Sequence, residues 1–193
     1  MNMYATLRLY QLFANLVEYP TPFLSDRVNE CISLLTPLER EAADFVWRFK
    51  TFLSLTPLGR MQELYTSTFD LNAICYLYVG YHLFGDGNHR GMFLSGLKEH
   101  YRVCHFSAGN ELPDHLGVML RFLANIENEE EREEIILLCI IPAVKKMLEG
   151  FRGSSSPYQG VLQGLLLMLQ SSTRSEETGI STKVSSEAFR YDR

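Results

Sequence analysis

Apolar residues recur every three or four positions along most of this chain, and no stretch alternates with period two long enough to make a half-buried strand. Proline, glycine and asparagine break that period at short intervals, so the segments have the length of ordinary globular helices. The pattern predicts an all-α protein, a compact multi-helix bundle. In the first segment Arg8, Gln11, Asn15 and Glu18 form one solvated stripe on an otherwise apolar helix, which stops at Tyr19-Pro20-Thr21-Pro22. A second helix is expected over residues 24–35. Thr36-Pro37-Leu38-Glu39 reads as a capping box opening a third, whose core face is Ala42, Phe45, Val46, Phe49, Phe52 and Leu53. Pro57 begins a fourth that runs to Phe69.

Asn72 is the expected N-cap of a fifth helix over residues 74–84, apolar or aromatic nearly all round and therefore expected at the centre. Its Tyr76, Tyr78 and Tyr81 hydroxyls need partners or a wet groove. After a turn at Gly85-Asp86-Gly87-Asn88 the period predicts a long helix over 89–106, and Pro113 starts another bearing Leu116, Met119, Leu120 and Leu123. A glutamate cluster, Glu127 to Glu134, leads into the apolar run of the eighth helix, which Pro142 should kink. A linker and a ninth helix over 158–169 complete a domain of residues 1–170. The Ser/Thr-rich remainder, 171–193, reads as a mobile tail.

A net charge of −5 argues against nucleic-acid binding, which needs a basic excess to displace counterions. The longest apolar run, residues 135–144, is half of the ~20 residues a membrane span requires. Polar residues break the N-terminal apolar stretch too often for a signal peptide, so a cytoplasmic location without membrane insertion is expected. Cys31, Cys75, Cys104 and Cys139 form no CxxC clip and read as small core residues.

Little in the sequence carries chemistry. Gly85-Asp86-Gly87 with Gly91 lacks the preceding strand of a phosphate loop and reads as a turn. His82, His89, His100, His105 and His115 show no HExxH or Cys/His ligand spacing, so no metal ligands are assigned. Ser154, Ser155 and Ser156 lie in a linker that cannot hold a nucleophile still. Glu111, Asp114 and His115 are the one notable polar cluster. They could serve a helical metal-dependent hydrolase, but the plainer reading is a helix start with His115 exposed. A binding protein, not an enzyme, is the expectation.

Six segments in order resemble a known family: Leu16-Val17-Glu18-Tyr19-Pro20, Leu64-Tyr65-Thr66-Ser67-Thr68-Phe69-Asp70, His82-Leu83-Phe84-Gly85-Asp86 with Arg90-Gly91, Glu111-Leu112-Pro113-Asp114-His115-Leu116, Met119-Leu120-Arg121-Phe122-Leu123-Ala124, and residues 158–169. Together they resemble the nitrate reductase assembly chaperones, the NarJ or delta-subunit family, within the wider group of molybdoenzyme maturation chaperones. The resemblance implies an all-helical chaperone that binds the N-terminal segment of an apo catalytic subunit. It implies support of molybdenum cofactor insertion and prevention of premature membrane attachment. It further implies contact with molybdenum cofactor biosynthesis proteins and no stably bound cofactor, the client's molybdopterin guanine dinucleotide being touched only transiently. Leu71 to Tyr76 is more aromatic and less basic than the family pattern. A sibling chaperone for a reductase of the dimethyl-sulfoxide type therefore stays open as an alternative.

Placed on the expected helices, the motifs suggest a client groove. Glu111, Asp114 and His115 would edge it, Tyr65, Phe69, Tyr76, Met119 and Phe122 would floor it, and Asp70 would add a further carboxylate.

Overall fold

The computed structural model describes residues 3–71 and 73–174. Asn72 and residues 175–193, which make up most of the expected tail, lie outside the described residues. The apolar face of α1 (Met3–Leu16) is buried on three sides, against α2 (Leu24–Leu35), α7 (Leu116–Leu123) and α10 (Tyr158–Arg174). Its polar stripe faces outward, and Arg8 donates to both carboxylate oxygens of Glu30 of α2, from Nε and Nη2 at 2.6 and 2.9 Å.

The helix α3 (Arg40–Ser54) lies along α2 and α10. Gly160 and Gly164, one turn apart, let α10 approach closely: a Cβ on Gly164 would sit 3.0 Å from both the Ala42 carbonyl and a Val46 methyl. Phe49 is buried in this seam as expected, whereas Phe52 is exposed, because the seam is narrower than the apolar stripe. The expected capping box does not form. Thr36 instead caps the end of α2 by donating to the Ile32 carbonyl, and α3 begins after an extended Glu39 whose side chain makes no cap.

Two aromatic clusters fill the interior. One joins Tyr65 and Phe69 of α4 (Leu58–Phe69) to Phe49, Phe151 and Tyr158. The other joins Tyr101 of α6 (Asn88–Val103) to Phe106 and Phe122.

The fifth helix differs most from expectation. Only Val79–Phe84 is helical (α5), and residues 74–78 before it form a bend and a bridge. Their backbone groups bond across the chain: Cys75 N–H to Thr68 O at 3.2 Å, Val79 N–H to Asp114 O at 2.8 Å, and Leu116 N–H to Leu77 O at 2.7 Å. Tyr78 and His115 form an isolated antiparallel bridge; among the described residues there is no longer strand. The segment consequently has one face in the core, through Cys75, Leu77 and Val79, and one outward, with Ile74 and Tyr76 exposed.

The eighth helix is divided as well. α8 (Glu129–Ile135) passes into a π-helical turn, Ile136–Ile140, before α9 (Ile141–Gly150). Pro142 has no N–H for the Leu138 carbonyl, and its ring crowds that carbonyl. The wider turn accommodates the misfit at the place where the sequence predicted a kink. Among the described residues no helix is long and apolar enough to cross a membrane.

Candidate functional site

The segment before α5 brings Glu111, Asp114 and His115 beside a row of tyrosines. Asp114 is fully buried, and its carboxylate takes two bonds from Arg90 of α6, at 2.9 and 3.4 Å. Arg90 also bonds Asp86 at 2.9 Å, and its guanidinium lies 5.3 Å from the Tyr78 ring centre. Gly80 permits this arrangement, since a Cβ there would stand 2.8 Å from Asp114 Oδ2. Asp114 therefore holds the loop to α6 and offers no free charge at an edge.

His115 is buried, contrary to the expected exposed position, and serves as the N-cap of α7. Its Nδ1 accepts from Gly117 N–H at 3.1 Å, and its ring meets Tyr78 edge-on at 5.6 Å. Burial is the main influence on its pKa and lowers it, against the neighbouring Glu111, Glu18 and Asp114 carboxylates. Glu111 remains exposed, accepting from the Tyr78 hydroxyl at 3.4 Å and from Leu112 N–H at 2.8 Å. The three polar groups of the hydrolase reading thus bond to different partners rather than converging on one point.

Of the expected floor, Tyr65 and Phe69 are together in the first aromatic cluster, with the Tyr65 hydroxyl donating to the Val17 carbonyl at 3.2 Å. Met119 and Phe122 are wholly buried, Phe122 in the second cluster. These four side chains support the surface from beneath. Tyr76 alone of the five is open to solvent, 40% exposed, and stacks on Tyr81 at 5.3 Å.

Asp70 is exposed and close enough, with Glu111, to push the Tyr65 and Tyr78 phenols up, although burial is the larger cause for both. Tyr19 stacks edge-on over Tyr65 at 5.6 Å. With Leu71 and the outer face of α4 it lines an open cleft of about 440 Å³. Tyr19, Tyr78 and the carboxylates of Asp70, Glu111 and the Glu18 that pairs with Arg121 thus gather around Tyr65, while exposed Tyr76 packs on Tyr81. Sequence reading missed Tyr19, Tyr78 and Arg90 as members, although all three lie in or beside the quoted motifs. Their role depends on the Tyr78–His115 bridge, which no periodicity reveals.

Residues 36–153 match the sequence model of the nitrate reductase delta subunit family. The chain belongs to that family. The motifs had pointed to the same family. A relative from Bacillus subtilis, described as the nitrate reductase molybdenum cofactor assembly chaperone NarJ, is 31% identical over 63% of this chain and 65% of its own length. The nitrate reductase-like protein NarX of Mycobacterium tuberculosis is 29% identical over 64% of this chain, but only 19% of NarX is covered. This chain thus spans just under two thirds of the first relative and about a fifth of the second. A crystal structure of a redox enzyme maturation protein from Archaeoglobus fulgidus has the same fold, with a TM-score of 0.59 at 19% identity over 85% of this chain and 93% of that one. The Bacillus relative is described as an assembly chaperone and the Archaeoglobus protein as a maturation protein, and the all-helical fold of the latter is the one seen here.

Proposed function

We propose that this chain is an assembly chaperone for a molybdoenzyme, respiratory nitrate reductase being the client, and that it works by binding rather than by catalysis. The family match over residues 36–153 carries the reading. The client's N-terminal segment, basic and then apolar, docks on the tyrosine face. Asp70 and Glu111 attract its basic residues, and Tyr19, Leu71 and Tyr76 take its apolar ones. All five are exposed, so none has to leave the core to bind. Three apolar anchors at about 1.5–3 kcal/mol each supply roughly 4.5–9 kcal/mol before the cost of ordering the peptide, so micromolar binding, about 8 kcal/mol net, requires the charged contacts and further apolar burial as well. In this reading the chaperone acts in the cytoplasm and keeps the apo subunit from its membrane anchor until molybdopterin guanine dinucleotide is inserted. The cofactor stays with the client.

Titration of a labelled N-terminal peptide of the nitrate reductase catalytic subunit, at two salt concentrations, tests the scheme. Asp70→Asn with Glu111→Gln should weaken binding about 2- to 30-fold at low salt, the equivalent of two exposed ion pairs, and should flatten the salt dependence. Tyr76→Ala should weaken binding at both salts. Wild-type affinity in the double variant at low salt would remove these carboxylates from the site. Preference for the corresponding peptide of a dimethyl-sulfoxide-type reductase would reassign the client.

A further inference from the structure

His100 and Cys104 stand one turn apart at the C-terminal end of α6, a spacing that projects both from one helix face. Glu131 meets them from the first turn of α8, which is set by Asn128: its side chain accepts from Glu130 N–H and Glu131 N–H at 3.0 and 3.4 Å. The Glu131 carboxylate contacts His100 Nε2, and one donor atom from each of the three residues lies within 4.8 Å of the others. Among the described residues no other group of histidine, cysteine and carboxylate donors converges in this way.

An imidazole–carboxylate pair accounts for two of these side chains, and the Cys104 thiol, packed against the edge of the core, lies within reach of both. Cys104 had been expected in the core, yet it is only half-buried. A set of one nitrogen, one sulfur and one oxygen suits a borderline-soft divalent ion. Metal–ligand bonds of ~2.0–2.3 Å put tetrahedral donors roughly 3.3–3.8 Å apart, a contraction that side-chain rotation can supply. Charge also balances: a thiolate and a carboxylate cancel a dication, so the half-buried site carries no net charge. Its inner wall is apolar, with the His100 ring edge-on to Phe122 at 5.6 Å. A small cavity beside it is lined by Phe93, Leu97, Met119 and Ile135.

We propose that His100, Cys104 and Glu131 form a zinc-class metal site that clamps the end of α6 to the start of α8, with a fourth position open to water. None of its three ligands is used in the client-binding argument, so its test is independent of that reading. The sequence alone had assigned no metal ligands.

The test is titration of the full, reduced, metal-free chain with Co(II), followed by Zn(II). One equivalent of Co(II) should produce a thiolate-to-metal charge-transfer band and the strong visible bands of tetrahedral cobalt, and Zn(II) should abolish both. Zn(II) should also raise the melting temperature, since it binds the folded state. Cys104→Ser should eliminate the charge-transfer band. His100→Ala and Glu131→Gln should weaken affinity by more than the roughly 10- to 100-fold that loss of an outer-shell partner costs. Cys31→Ser, on α2 and outside the cavity that His100 lines, should leave the spectrum unchanged, and circular dichroism in chelator should show every variant folded. If Cys104→Ser does not fold, His100→Ala and Glu131→Gln decide by affinity alone. Absence of the band at stoichiometric cobalt, its survival in Cys104→Ser, or unchanged affinity in both other variants overturns the site.

Discussion

At His115 the folded chain favours a neutral imidazole, because burial lowers the pKa and Nδ1 must keep a lone pair for Gly117 N–H. In the unfolded chain the ring titrates near ~6.5. A lowered folded pKa contributes stability above the unfolded value, and this is lost as pH falls toward the folded one. The melting temperature should therefore fall as pH drops below about 7, and His115→Asn, which keeps a capping side chain, should reduce that fall. Equal pH dependence in variant and wild type would show that His115 is not responsible. His82 acts in the same direction, its pKa lowered chiefly by burial, so the reduction should be partial. The tyrosines give a second contrast at this scale. Tyr101 donates to the Pro113 carbonyl at 2.8 Å, whereas the buried Tyr158 hydroxyl has no partner among the described residues. Tyr101→Phe should cost about 1 kcal/mol, and Tyr158→Phe should be neutral or stabilising by denaturant melts. Phe49→Ala, which empties the α3–α10 seam, should cost about 3–5 kcal/mol in the same assay.

Elements here are held by groups from other elements. Arg132 of α8 is buried and donates from Nε to the Leu123 carbonyl at 3.0 Å and from Nη2 to the Ile126 carbonyl. It thereby satisfies the end of α7, which composition alone would assign to an acidic, solvated cluster. Arg132→Met keeps most of the volume and removes the donors, so urea melts should show a loss of about 1.5–3 kcal/mol. The end of α9 has a steric requirement. A Cβ on Gly150 would stand 2.6 Å from the Ile74 carbonyl of the segment before α5. Gly150→Ala should be destabilising by about 1–3 kcal/mol, against the usual gain of alanine over glycine in a helix. A stabilised Gly150→Ala protein would mean that this segment is free to move away.

For the whole molecule, the boundary of the domain is the clearest quantity to measure. α10 continues through Arg174, past the expected end at Gln170, and Ser171 contacts Glu39 at the start of α3. Ser172 and Thr173 bond back to the Leu169 carbonyl at 2.8 and 3.3 Å. A chain ending at Gln170 should melt roughly 1–4 °C below one ending at Arg174. Identical midpoints would return the boundary to Gln170.

The sequence by itself determined that the chain is helical, where proline and glycine cut it, that α1 and the Phe49 face are core, and which family it belongs to. Those features follow from local period, local backbone chemistry and ordered motifs, all readable along one strand of residues. Tertiary structure decided the rest. Residues 74–78 have the composition of a buried helix but form a bend and a bridge, because Val79 and Leu116 exchange backbone bonds with Asp114 and Leu77. Met119 and Phe122 cannot be told from groove residues until α6 covers them, and Asp114 cannot be told from a free carboxylate until Arg90 reaches it. Glu131 beside His100 and Cys104 is likewise invisible, since one member of that constellation comes from another helix. Periodicity reports which face of an element is apolar. Only the packing of elements fixes what that face, or a charge beside it, meets.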